Sequence, residues 1–266
     1  MDSRIRYLAL GSERPEKLAQ FYTTYFGMRE LGRSDGGDVA LTDGFYNISI
    51  VKPQGGVEPG LNHFGIEIDD IREIEGRLEE FAPHADIQAE NGDLFHGEYR
   101  VTDPNGLTVS LSTKHFSVPA GSRGLPAIRH VALSTPNNDT VLDFYRNVFG
   151  FREPTTSLAI REKGLATRFA ADGATSLAIL RYPVDQDMEE PEGGWAARHF
   201  KGGVNHFGFL VNDIQNFMAA LPEGSVTKRP AVRPMTEFRV VDPEANEIDI
   251  SQHKGYEIDV DVWEHA

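Results

Sequence analysis

The sequence predicts an α+β protein of four β-α-β-β-β units arranged as two tandem pairs. Three observations predict it: peptide signatures that recur in one order in both halves, a strand-then-helix pattern that opens each quarter, and a segment rich in Gly, Pro and Ser between the halves. FYTTYFGMRE at 21–30 returns as FYRNVFGFRE at 144–153. GLNHFGIEIDDI at 60–71 returns as GVNHFGFLVNDI at 203–214, and EYRVTDPNG at 98–106 as EFRVVDPEA at 237–245. Chance matches would not keep that order. The separating segment is KHFSVPAGSRGLP at 114–126, so two similar domains are expected, residues 1–113 and 125–266.

The first unit opens with RIRYLAL at 4–10, which alternates as a strand does. A helix follows from near Ser12 and Pro15. Its Leu18, Phe21, Tyr22, Tyr25 and Phe26 recur at the i, i+3, i+4 spacing of one helix face, and Gly27 stops it. Short strands are expected at DVALTD and YNISIVK. The second unit repeats the order with strand NHFGIEI, a helix carrying Ile71, Ile74, Leu78 and Phe81, and strands near GEYRVTD and LTVSLS joined by the turn DPNG. The third starts at AIRHVALS, and its helix carries Val141, Phe144, Tyr145, Val148 and Phe149. The fourth starts at NHFGFLV and continues into a helix with Ile214, Phe217, Met218 and Leu221.

Composition narrows the function. Over 266 residues, 39% hydrophobic and 25% charged is a globular balance. No apolar run approaches the roughly 18 residues of a membrane-spanning helix. MDSRIRYLAL lacks the charged, apolar and small-residue regions of a secretory signal, so a cytoplasmic protein is expected. Cysteine is absent, which removes disulfides, thiolate nucleophiles and sulfur-ligated zinc, so any metal must be held by nitrogen and oxygen. The net charge of −15 disfavours nucleic acid and anionic membranes and reads first as solubility. The expected partner is a small-molecule substrate, and a homo-oligomer is compatible with these features.

Four β-α-β-β-β units in two pairs, with FY..YFG at the end of the first helix and DPxxN before the last strand, resemble the vicinal oxygen chelate superfamily of glyoxalases, bleomycin-resistance proteins and type I extradiol dioxygenases. The resemblance covers nearly the whole chain, and the four-unit order is most similar to the extradiol dioxygenases. It implies paired units forming half-open barrels, with an idle N-terminal pair and a metal inside the C-terminal one. It also implies ligand places at the centre of each unit's first strand and on its last strand. In the N-terminal half these fall on Tyr7, Ser49, His63 and Ser110; in the C-terminal half they fall on His130, Ala178, His206 and Asp249.

The residues themselves support the second set. In IRHVALS, His130, Ala132 and Ser134 share a strand face, and in NEIDISQ, Asp249 shares one with Glu247 and Ser251. Two histidines and a carboxylate with open positions suit Fe(II) first, and Mn, Co or Zn as well. A lone strand histidine is ordinarily a hydrogen-bonded core residue, which is the reading for His63. The resemblance usually implies Glu where Asp249 stands, and Glu247 on the same face is the alternative carboxylate. The place of the usual active-site tyrosine is held by Arg239, and the usual histidine places fall on Pro191 and Pro230.

Replacements are on offer. Ala178 and His206 are 28 residues apart, against 14 for Ser49 and His63. The extra length, PVDQDMEEPEGGWAARHF at 183–200, reads as a long loop that orders over substrate, with Trp195 closing and His199 as general acid or base. Arg239 would either anchor a substrate oxygen or pair with Glu237, as Arg100 would with Glu98. The leading expectation is an extradiol-type ring-cleaving dioxygenase acting on a catechol-like substrate. The alternatives are a glyoxalase-type metal-dependent lyase or isomerase, and a non-catalytic small-molecule-binding protein.

Overall fold

The computed structural model describes residues 3–53, 58–121, 124–155, 167–181, 202–228, 236 and 238–253. The first half contains β1 (Arg4–Gly11), α1 (Pro15–Phe26), β2 (Arg29–Arg33), β3 (Val39–Thr42), β4 (Asn47–Val51), β5 (Gly60–Glu67), α2 (Ile71–Phe81), β6 (Gln88–Ala89), β7 (Tyr99–Thr102) and β8 (Thr108–Ser112). A short 3-10 turn, His115–Ser117, lies in the linker. The second half contains β9 (Ala127–Thr135), α3 (Asn138–Phe149), β10 (Arg168–Ala171), β11 (Ser176–Arg181), β12 (Gly203–Leu210), α4 (Ile214–Ala219), β13 (Val226–Lys228), β14 (Phe238–Val241) and β15 (Glu247–Ser251).

Local chemistry sets the helix ends. Pro15 opens α1, where its missing N–H costs nothing. Asp70, Asn137 and Asp213 cap α2, α3 and α4 by accepting from backbone N–H groups of the first turn. Gly27 and Gly150 end α1 and α3 in the left-handed conformation, at φ 63° and 74°. Helix α4 is shorter than its apolar spacing predicts. It stops at Ala219, and Leu221, which precedes Pro222 and is biased away from helical geometry, packs on the core from beyond the helix end.

The halves build two sheets in the same order. The first runs β2-β3-β4-β1-β5-β8-β7-β6 and the second β10-β11-β9-β12-β15-β14-β13. In each, the first strands of the two units pair antiparallel, β1 with β5 and β9 with β12. Each of those strands also pairs in parallel with its own unit's last strand. Neither sheet closes, so each is a half-open bowl. Sequence patterning missed the edge strands β2, β6 and β13, whose side chains alternate weakly because little covers them.

The halves exchange contacts reciprocally. Tyr22 on α1 donates to Asp242 at 2.7 Å, and its repeat counterpart Tyr145 on α3 donates to Asp103 at 3.0 Å. The Ile5 N–H donates to Asp172 Oδ2 at 2.6 Å, and the Ile128 N–H to Asp43 Oδ2 at 2.9 Å. Burial, then the facing carboxylate, pushes both phenols well above their usual range, so they stay protonated donors. Tyr22 and Phe26 pack at a tilt against Phe207 and Phe209, while Tyr145 meets Phe64. One continuous core therefore runs through both halves. The sheet faces turned away from the helices are left for other uses.

Candidate metal centre

Two slips in strand register aim the histidines. Between β9 and β12, Gly208 faces His130 and Phe209 faces Ile128, so Arg129 is an extra residue on β9. Ile128 stays in the core while His130 turns to the opposite face with Ala132. A second slip makes Asn205 the extra residue before His206. Strand β15 lies parallel to β12 with Asp249 facing Gly208. The row Asp249, Gly208, His130 thus crosses three strands, and the glycine at its middle has no side chain to fill the space between the two flanking groups.

His130, His206 and Asp249 meet there. Their candidate ligand atoms lie within 4.8 Å of one another, and all three residues are buried. His130 Nε2 is 3.3 Å from His206 Nε2, which is 3.2 Å from Asp249 Oδ2. The amide oxygen of Asn205 lies 2.6 Å from His206 Nδ1, and the Asn205 amide donates to Ser134 Oγ at 3.0 Å. An amide oxygen only accepts, so Nδ1 carries the hydrogen and Nε2 of the neutral ring presents a lone pair. That lone pair faces a carboxylate oxygen, an arrangement that calls for a cation or proton between them. The 3.3 and 3.2 Å spacings match pairs of ligands about 2.0–2.2 Å from a shared ion and roughly at right angles. The donor set fits a divalent metal.

Arg239 reaches the same carboxylate. On β14 it faces Asp249 directly, its Nε donates to Asp249 Oδ1 at 2.8 Å, and its Nη1 donates to Glu247 Oε2. It meets the carboxylates of β15 within the site; Glu237 lies outside the described residues. The Ala178 position is a buried alanine, clustered with Ala132 and Phe169 and backed by Leu180, an apolar patch on the face that carries His130. Trp195, His199, Pro191, Pro230 and the whole of 183–200 lie outside the described residues.

The equivalent row in the first half is Ser110, Gly65, Tyr7. His63 Nε2 lies 3.1 Å from Ser110 Oγ, and Tyr7 donates to the Phe95 carbonyl. Burial pushes the Tyr7 phenol further above its ordinary value, so it offers no anionic ligand. Burial, then His96 and Arg100, pulls His63 down to about 4. The space over Gly65 is filled by Phe116, stacked 4.8 Å from the Tyr7 ring. A Cβ at Gly65 would lie 2.6 Å from the Phe116 ring. Beside this plug a cavity of about 630 Å³ opens past His63 to Lys52, Glu90, His96 and Arg100. Among the described residues, only the second half gathers three metal-ligating side chains. The sequence carried no sign of the Phe116 plug or of the Asn205 and Arg239 contacts.

The profile of the Glyoxalase/Bleomycin resistance protein/Dioxygenase superfamily matches residues 4–111 and again 127–250. The mitochondrial methylmalonyl-CoA epimerase of Dictyostelium discoideum is 30% identical over 103 residues, 38% of this chain and 58% of that protein. The chain therefore spans less than two thirds of this curated relative. Among solved structures, the 2,3-dioxygenase LapB from Pseudomonas sp. KL28 superposes with a TM-score of 0.66 at 18% identity, covering 93% of this chain and 91% of LapB. The Mn(II)-bound glyoxalase from Novosphingobium aromaticivorans gives 0.66 at 16%, covering 93% and 81%. At these identities the structural likeness is one of fold.

Proposed function

The chain belongs to the glyoxalase/bleomycin resistance protein/dioxygenase superfamily, and from that premise we propose that it is a divalent-metal-dependent enzyme whose ion is held by His130, His206 and Asp249. The reading takes residues 1–113 and 125–266 as two repeats, with the working site in the second. The observation that carries it is the convergence of two imidazole nitrogens and one carboxylate oxygen beside Gly208. A divalent ion there would polarise adjacent substrate oxygens and, as Fe(II), activate dioxygen beside them.

The reaction we favour is extradiol-type ring cleavage of a catechol-like substrate. Ala178 supplies no fourth ligand, which leaves coordination positions for substrate and oxygen. Ala132, Phe169 and Ala178 offer an apolar wall for a flat ring. Asn205 holds the His206 ring in one tautomer. Oxygen uptake by protein reconstituted anaerobically with Fe(II) and given catechols tests the reading. The expected outcome is substrate-dependent uptake with a ring-opened product, and ion-loaded protein that consumes no oxygen with any catechol would overturn it.

One observation favours a second reading. The epimerase relative names a reaction at a carbon next to a thioester carbonyl, where the same ion would stabilise an enolate without oxygen. Solvent deuterium exchange at the α-carbon of an acyl thioester, with Mn(II)- or Co(II)-loaded protein, distinguishes the two.

A further inference from the structure

Asp249 is one methylene shorter than the glutamate expected at this place, and both of its oxygens are engaged. Oδ2 faces His206 Nε2, while Oδ1 accepts from Arg239 Nε. Arg239 is itself gripped from behind. Its other arm donates to Glu247, two residues before Asp249 on β15. Arg239 is 7% exposed and Asp249 fully buried, so this contact is shielded from water. Antiparallel pairing of β14 and β15 puts Arg239 directly opposite Asp249, which fixes the side-chain approach through the backbone.

The first half shows what the arginine does without that carboxylate. Arg100 faces Ser110 at the same register. It turns instead to Gln88 Oε1, at 2.7 and 2.9 Å, and to Glu90. The direction of the arginine follows the carboxylate.

We infer that Arg239 is a positioning residue for the metal ligand: it holds Asp249 by Oδ1, so that Oδ2 alone is presented to the ion, and Glu247 keeps Arg239 in place. This rests on the metal-dependent reading above. Two consequences follow. A carboxylate held this way cannot swing to bind through both oxygens, which keeps coordination positions open for a two-oxygen substrate. A guanidinium on the far oxygen also draws charge from the ligand and leaves the ion a stronger Lewis acid. Held between two carboxylates, Arg239 acts through the ligand it positions.

The test uses Co(II), whose visible absorption reports coordination number and ligand type, together with Co(II) affinity by calorimetry. The variants are Arg239→Gln, Arg239→Lys and, as a control in the other half, Arg100→Gln. Wild-type protein and Arg100→Gln are expected to share one spectrum and one affinity. Arg239→Gln is expected to change the visible band and weaken Co(II) by about tenfold to a hundredfold. Arg239→Lys, with one ammonium for two carboxylates, changes the band and loses affinity by a smaller factor. If Arg239→Gln does not fold, the lysine variant carries the test alone. Wild-type spectrum and affinity in the folded Arg239 variants would overturn the inference. Failure of wild-type protein to bind Co(II) would overturn the metal reading instead, so the two failures are distinguishable.

Discussion

At the scale of single residues, the same peptide, NHFG, places two histidines in unlike surroundings. His206 faces an imidazole and a carboxylate, whereas His63 faces a serine and a plugged space. Burial first, then the positive neighbours His96 and Arg100, keep the His63 ring neutral down to about pH 4. In the unfolded chain it takes its proton near 6.5. The stability His63 contributes is therefore complete above pH 6.5 and is lost as pH falls from 6.5 towards 4, because the unfolded state binds the proton first. His63→Asn retains a hydrogen-bonding group and removes the titration. It is expected to flatten the pH dependence of stability in that window, by up to about 1.4 kcal/mol per pH unit. Denaturant midpoints measured across pH 4–7 check this, and equal slopes in the two proteins would contradict it. The grouping of His130, His206 and Asp249 was legible in the sequence through the ligand places that the family resemblance implies, with the strand faces of IRHVALS and NEIDISQ in support. Arg239 against Asp249 was not read there, since the turn between β14 and β15, and neither strand by itself, sets their register.

At the scale of elements, the two DPxx turns show how far the repeats have diverged. Gly106 sits at φ 81°, a conformation glycine adopts freely, and the matching Ala245 is held at φ 60°. Both turns close with the same backbone bond, Gly106 N–H to Asp103 O and Ala245 N–H to Asp242 O. The alanine is therefore strained in a turn that is otherwise intact. Ala245→Gly is expected to stabilise the protein by about 1 kcal/mol, and Gly106→Ala to destabilise it by a similar amount. Urea midpoints of the two variants measure both shifts, and unchanged midpoints would contradict the strain. The central strands and helices were legible because apolar spacing and the capping residues agreed. The slips at Arg129 and Asn205 were not. Nothing in IRHVALS or NHFG marks an extra residue, yet those slips turn Ile128 inward and both histidines outward. Phe116 escaped notice for a related reason. The linker reads as polar and small, and only its turn, with Phe116 at φ 49°, brings the ring over Gly65.

At the scale of the whole molecule, a duplicated chain keeps two bowls joined by reciprocal contacts and uses them differently. Tyr22 with Asp242 and Tyr145 with Asp103 hold the halves to each other, and the shared aromatic core makes each half part of the other's support. In one bowl the linker's own phenylalanine covers the central glycine, while the other gathers two imidazoles and a carboxylate around a glycine. The duplication itself was plain in the sequence, from three signatures kept in order. The interlocking of the halves was not, because no pattern in the sequence marks which group of the other half Asp43, Asp172, Asp103 or Asp242 will meet. The central claim is that metal binding belongs to the second bowl alone. It is tested most directly by the metal content of wild-type, His206→Ala and His63→Ala proteins purified side by side without added metal. Wild-type and His63→Ala are expected to carry the ion equally and His206→Ala to carry none; loss of metal from both variants, or from neither, would contradict the assignment.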